Sequence, residues 1–106
     1  MKKYRINQFY ILKNKRPCPI GDVLVWARWF EDNGRLVQAT KKGEVRVSTV
    51  FLGIDHGFGI SAKPILFETM VFGGKHDGRQ VRYCTWGEAV KGHKAMVDKV
   101  FKHETN

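Results

Sequence analysis

"RLVQATKKGEVRVSTVFLGI", Arg35–Ile54, is the stretch on which the fold turns. In its second half Val45, Val47 and Thr49 fall on one side of an extended chain, and Arg46, Ser48 and Val50 on the other. Side chains of a strand point to opposite faces in turn, so this alternation marks a strand with one face toward a core. "KKGE" breaks the pattern with a turn-forming glycine, and "RLVQAT" precedes it. The stretch therefore predicts an antiparallel hairpin.

Further strands follow on either side. "PILFETMVF", Pro64–Phe72, is rich in aromatic and apolar residues and reads as a central strand, with Glu68 set among apolar neighbours. "GGKHDG" is a turn and "RQVRYC" a short last strand, while upstream "YRINQFYIL", Tyr4–Leu12, reads as a first strand. "RPCPIG", Arg16–Gly21, reads as punctuation, because Pro17 and Pro19 push their predecessors toward extended geometry. "DVLVWARWFEDNG", Asp22–Gly34, carries strand-like bulk, yet Val23, Leu24, Ala27 and Phe30 recur at helical spacing. Asp22 as an N-cap and Asn33-Gly34 as a stop favour a helix of about three turns.

The C-terminal element is the clearest. Thr85 and Glu88 have the spacing of a capping box, and Trp86, Val90, His93, Val97 and Val100 follow as an apolar stripe flanked by Ala89, Met96 and Phe101. Lys91, Lys94, Lys99 and Lys102 fall mostly on other faces. The order strand, helix, four strands, helix predicts a single α+β domain over 1–106, an antiparallel sheet of about five strands with helices on one face.

Composition bounds the partners more than the fold. With 19 Lys+Arg against 10 Asp+Glu, the formal net charge of +9 draws polyanions or acidic protein surfaces. The charge concentrates in Met1–Arg16, where Lys2, Lys3, Arg5, Lys13, Lys15 and Arg16 are met by no acid; they are the candidate anion-binding residues. Cys18 and Cys84 match no zinc-ligand spacing and no disulfide framework, which suits a reducing compartment. No stretch approaches the roughly 20 apolar residues of a membrane span. A cytoplasmic location is expected.

Asp55, His56, Glu68, His76, Asp77 and His93 are the residues that could carry chemistry. Adjacent residues at a strand end point apart, so Asp55-His56 is a weak dyad. Structural roles fit them better: Asp55 capping amides of its own glycine loop, His56 fixing the turn, and Glu68 in an ion pair with Arg46 or Arg82. The glycine runs "GIDHGFG" and "FGGKHDG" lack the features of a phosphate loop, so no nucleotide, metal or other cofactor is expected. The aromatics of the N-terminal half interleave with basic residues, which suits either a core or a base-stacking surface.

The strings "WARWFE", "VSTVFLGIDHGFG", "PILFETMVFGG" and "YCTWGEAVKGHKAMV" resemble a family of small, functionally uncharacterised phage and prophage proteins, over about Val23 to Val97. The shared pattern includes Asp55, His56, Glu68, Gly92 and His93, and Cys84 stands where the family commonly has Ser. The resemblance implies phage origin and a bacterial cytoplasm, and transfers no activity. The expected function is non-enzymatic binding of a host protein or nucleoprotein. The alternatives are a nucleic-acid binder without sequence preference and a metal-dependent hydrolase using Asp55, His56 and His76 or Glu68. Asp55, His56, Glu68 and His93 are expected to form one polar cluster linking loop, strand and helix. A homo-oligomer, paired through the edge of the hairpin, is a further expectation.

Overall fold

The alternation in Val45–Phe51 becomes the central feature of the computed structural model, which describes residues 8–102. In chain order the elements are β1 (Tyr10–Lys13), β2 (Arg16–Pro19), α1 (Val23–Asp32), β3 (Leu36–Lys42), β4 (Val45–Phe51), β5 (Phe67–Phe72), β6 (Gln80–Tyr83) and α2 (Trp86–Phe101). The fold is α+β, and every strand pairing is antiparallel among the described residues. The strands divide between a four-stranded sheet in the order β3-β4-β5-β6 and a separate two-stranded ribbon, β1-β2. The expected first strand thus stands outside the main sheet, bridged through Phe9 to Ile54 in the segment that follows β4. Its first residues, Tyr4–Asn7, lie outside the described residues, as do Lys2, Lys3 and Arg5.

The proline-rich stretch expected as punctuation is a strand, β2. Tyr10, Ile11, Leu12 and Lys13 face Pro19, Cys18, Pro17 and Arg16, and the Ile20 amide donates to the Phe9 carbonyl at 2.9 Å. Since inward-facing amides alternate along an antiparallel strand, both prolines occupy positions whose nitrogens face away from β1. That placement lets a strand keep two residues without amide protons. Asn14 and Lys15 turn the ribbon, both with positive φ, as a two-residue hairpin loop requires.

α1 is a helix, capped by Asp22 Oδ1, which accepts from the Leu24 amide at 2.9 Å. Its inward face differs in part from the expected one. Val23, Leu24 and Val25 are exposed; Phe30 packs on the core as expected, joined by Trp29, while Trp26 lies against Phe9 and Phe30. The three rings sit within one helical turn and are long enough to bridge from a peripheral helix. Phe30 lies over Gly53, where a Cβ would strike its ring, and the Trp26 indole donates to the Gly53 carbonyl at 3.1 Å. The aromatics continue inward through Phe51 and Phe67 to Trp86. Phe51 and Phe67 are buried at the centre of this chain of rings, and the rings of α1 are half-buried at its edge.

α2 lies on one face of the sheet, held at its start by the reciprocal hydrogen bonds of Thr85 and Glu88. Its buried residues are Ala89, His93, Met96, Val100 and Phe101, so the stripe is set one residue earlier than expected at Val90, which is exposed. Val47, Val71, Met96 and Val100 form one apolar cluster; Phe51, Phe67, Leu66 and Ala89 belong to another. Between them runs a polar layer. Thr49 faces Thr69 in the ladder between the Val47/Val71 and Phe51/Phe67 pairs, and His93 lies between Ala89 and Met96 on the helix.

Candidate functional site

The four residues expected to cluster take their hydrogen bonds in three different places. Asp55 is completely buried, and its carboxylate accepts from the amides of Gly57 (2.7 Å), Gly59 (3.0 Å) and Ile65 (2.9 Å). It ties both ends of its loop together. His56 Nδ1 lies 2.9 Å from the Ile54 carbonyl oxygen, which makes Nδ1 the protonated nitrogen and fixes the ring against its own turn. Glu68 faces away from α2 and pairs with Arg82 at 2.9 Å on the neighbouring strand. Asp77, in the β5–β6 turn, accepts from the Gly73 amide at 2.6 Å. Among the described residues no three His, Cys, Asp or Glu side chains are grouped as metal ligands.

His93 belongs to the polar layer. Its Nδ1 lies 2.8 Å from Thr49 Oγ1 and its Nε2 lies 2.9 Å from Thr40 Oγ1. Thr49 in turn bonds Thr69, and the Tyr83 hydroxyl donates to Thr69 Oγ1 at 3.1 Å. Tyr83 donates to Thr69, and the threonine hydroxyls turn to serve either tautomer of a neutral imidazole. His93 is then neutral with both nitrogens satisfied. Burial pushes its pKa below the ordinary 6.5, because the charged ring would lose its hydration. The layer is complete without a ligand, so its chemistry is that of a structural network.

The opposite face of the sheet is organised differently. No described element packs on it, since α2 and the aromatic cluster of α1 lie on the other side. Three cross-strand rows make it up. Lys41, Arg46 and Phe72 form the first; Ala39, Ser48, Met70 and Gln80 the second; Leu36, Val50, Glu68 and Arg82 the third. Leu36 is 58% exposed and Phe72 42%, while the Arg46 guanidinium lies 5.0 Å from the centre of the Phe72 ring. Among the described residues Lys41 and Arg46 have no carboxylate partner, whereas Glu68 is already paired. The result is a basic, partly apolar surface. It was readable from the alternation of Arg46, Ser48 and Val50, but only if the sheet was known to be covered on one side alone.

Of the candidate anion-binding residues, Lys13, Lys15 and Arg16 are exposed at the tip of the β1–β2 ribbon. Lys15 Nζ lies 5.6 Å from the Trp86 ring centre, so one of these cations is also held against α2. No described helix is long and apolar enough to cross a membrane. Comparison of the chain with protein-family models, curated proteins and solved structures gave no match.

Proposed function

We propose that this is a small phage-type accessory protein that acts without catalysis, by binding a protein or nucleoprotein target in the cytoplasm of a bacterial host. The observation that carries the reading is the uncovered sheet face, where exposed apolar side chains stand beside cations without carboxylate partners. Exposed apolar side chains set beside unpaired charge suit a docking surface. The residues that could have served a reaction favour the same reading: Asp55 is committed to three backbone amides, and both His93 nitrogens to threonines. Phage origin rests on the motif strings alone. The test is capture from a bacterial lysate by tagged protein, with and without nuclease, followed by identification of what is bound. A reproducible protein partner that survives nuclease supports the proposal, and a bait that recovers nothing above background defeats it.

A second reading, direct binding of nucleic acid without sequence preference, is favoured by Lys13, Lys15 and Arg16 at the ribbon tip together with the net charge of +9. Each phosphate contact then adds about one unit to the slope of log affinity against log salt. Gel shifts at low salt that show no complex would remove this reading.

A further inference from the structure

We infer that the uncovered sheet face is built to seat an acidic amphipathic helix of a partner protein, lying across the strands over the row Ala39–Ser48–Met70. The inference rests on the binding function proposed above and specifies its surface and the chemistry of its partner.

The geometry of the rows sets the shape. Residues two apart on a strand are separated by about 7 Å, so the Lys41 row and the Leu36 row stand about 14 Å apart. A helix with its side chains is about 10–12 Å across, so one laid over the central row reaches the side chains of both outer rows. Ala39 and Ser48 are directly paired on adjacent strands and are the smallest side chains of the face. Their short side chains keep the central row low beside the longer ones of the outer rows, and Ser48 is only 8% exposed. Leu36 and Val50 form one bank and Phe72 part of the other, giving apolar contacts at both sides of a helix stripe.

Charge sets the partner. Lys41 and Arg46 hold one bank, and Arg46 is kept near the plane of the sheet by its stacking on Phe72. An acidic flank on the incoming helix meets these cations, while the single acid of the face, Glu68, is occupied by Arg82. A second copy of this chain would bring cations of its own and only Glu68, already paired, to meet Lys41 and Arg46, so an acidic partner complements the face better. The β3 edge is also guarded by Lys41, Lys42 and a register shift between Leu36 and Gln38. Phe72 is the only aromatic in the three rows, which is too few for a single-stranded nucleic acid to stack successive bases.

The experiment uses the full chain, isotopically labelled, and synthetic helical peptides of about 14 residues, or roughly 21 Å. One peptide carries a leucine stripe and glutamates elsewhere; a second has the same stripe with lysines; a third has the glutamates without the stripe. The first should shift the backbone amides of Ala39, Ser48 and Met70, and the other two should bind at least about tenfold more weakly. Ala39→Glu, and separately Lys41→Glu with Arg46→Glu, should weaken the first peptide about tenfold or more while leaving the spectrum of a folded protein. Shifts confined to α1 or the ribbon, equal binding of both stripe peptides, or tighter binding of oligouridylate at this face would overturn the inference. Repeating the lysate capture with the same variants separates the two levels. A partner retained by both variants overturns this surface and leaves the binding function standing; peptide binding at the face without any captured partner does the reverse.

Discussion

A single carboxylate organises the longest loop between strands. Asp55 sits with no solvent exposure and accepts three amides, two from the glycines beyond it and one from Ile65, across the loop. Hydrogen bonds to a charged acceptor contribute about 1.5–3 kcal/mol each in favourable cases, and their loss leaves buried donors unmet. Asp55→Ala should therefore cost on the order of 3 kcal/mol in denaturant unfolding; a midpoint within error of the parent would show that the loop holds without it. Thr49→Val is subtler, because it preserves shape while taking from both His93 Nδ1 and Thr69 the hydroxyl they share. It should cost about 1–3 kcal/mol in denaturant unfolding, and a midpoint equal to that of the parent would refute the network. The capping role of Asp55 and the turn-fixing role of His56 were legible in the sequence, since a polar pair held among glycines satisfies its own backbone first. The expected union of both with Glu68 and His93 was not. Alternation puts Glu68 and Thr69 on opposite faces, and that alone separates Glu68 from His93.

Among elements, the contact of α2 with β6 depends on a glycine. Gly92 faces the Tyr83 ring so closely that a Cβ there would occupy the place of the ring and its hydroxyl. Glycine inside a helix is unfavourable by about 1 kcal/mol relative to alanine, so its presence marks a required approach. Gly92→Ala should destabilise the protein despite the better helix propensity, by about 1–3 kcal/mol, and should perturb the Tyr83 ring resonances. A stabilised variant with an unmoved Tyr83 would refute this packing. The same reasoning shows why β2 escaped sequence reading while α2 did not. Capping and helical spacing are local signals written in a few neighbours, whereas prolines are compatible with a strand only when its partner lies on the side away from their nitrogens. That side is a property of the pairing, and β1 had first to be placed.

For the whole molecule, acid is the condition that tests the fold. His93 has its folded-state pKa lowered by burial, so the unfolded chain binds the proton more readily. Its contribution is fully present above the unfolded value near 6.5 and is lost as pH falls from there through the folded value. Thr40, Thr49 and, through Thr69, Tyr83 face the ring from the sheet, and none is an anion that could stabilise its charge. Glu88 adds a second stage: amide hydrogen bonds from Cys84, then Thr85, lower its pKa, so its contribution is lost below the ordinary 4.5. Stability should thus decline from about pH 6.5 downward in thermal melts. His93→Leu should flatten the upper part of that decline and leave the lower part unchanged. A parent protein with constant stability between pH 7 and 5 would contradict the neutral, buried His93.

The polar layer also determines where α2 can sit along the sheet. Sliding the helix by one turn, about 5.4 Å, would carry the imidazole off the threonines and press it among Phe51 and Phe67 or Val47 and Val71, with both nitrogens orphaned. Apolar groups on either side would tolerate such a slip, since one aliphatic contact substitutes well for another. The hydroxyl chain does not. It serves as a key cut to one depth, and replacing Thr49, Thr69 and His93 together by apolar residues would leave a core that still collapses while removing what tells the helix where to stop.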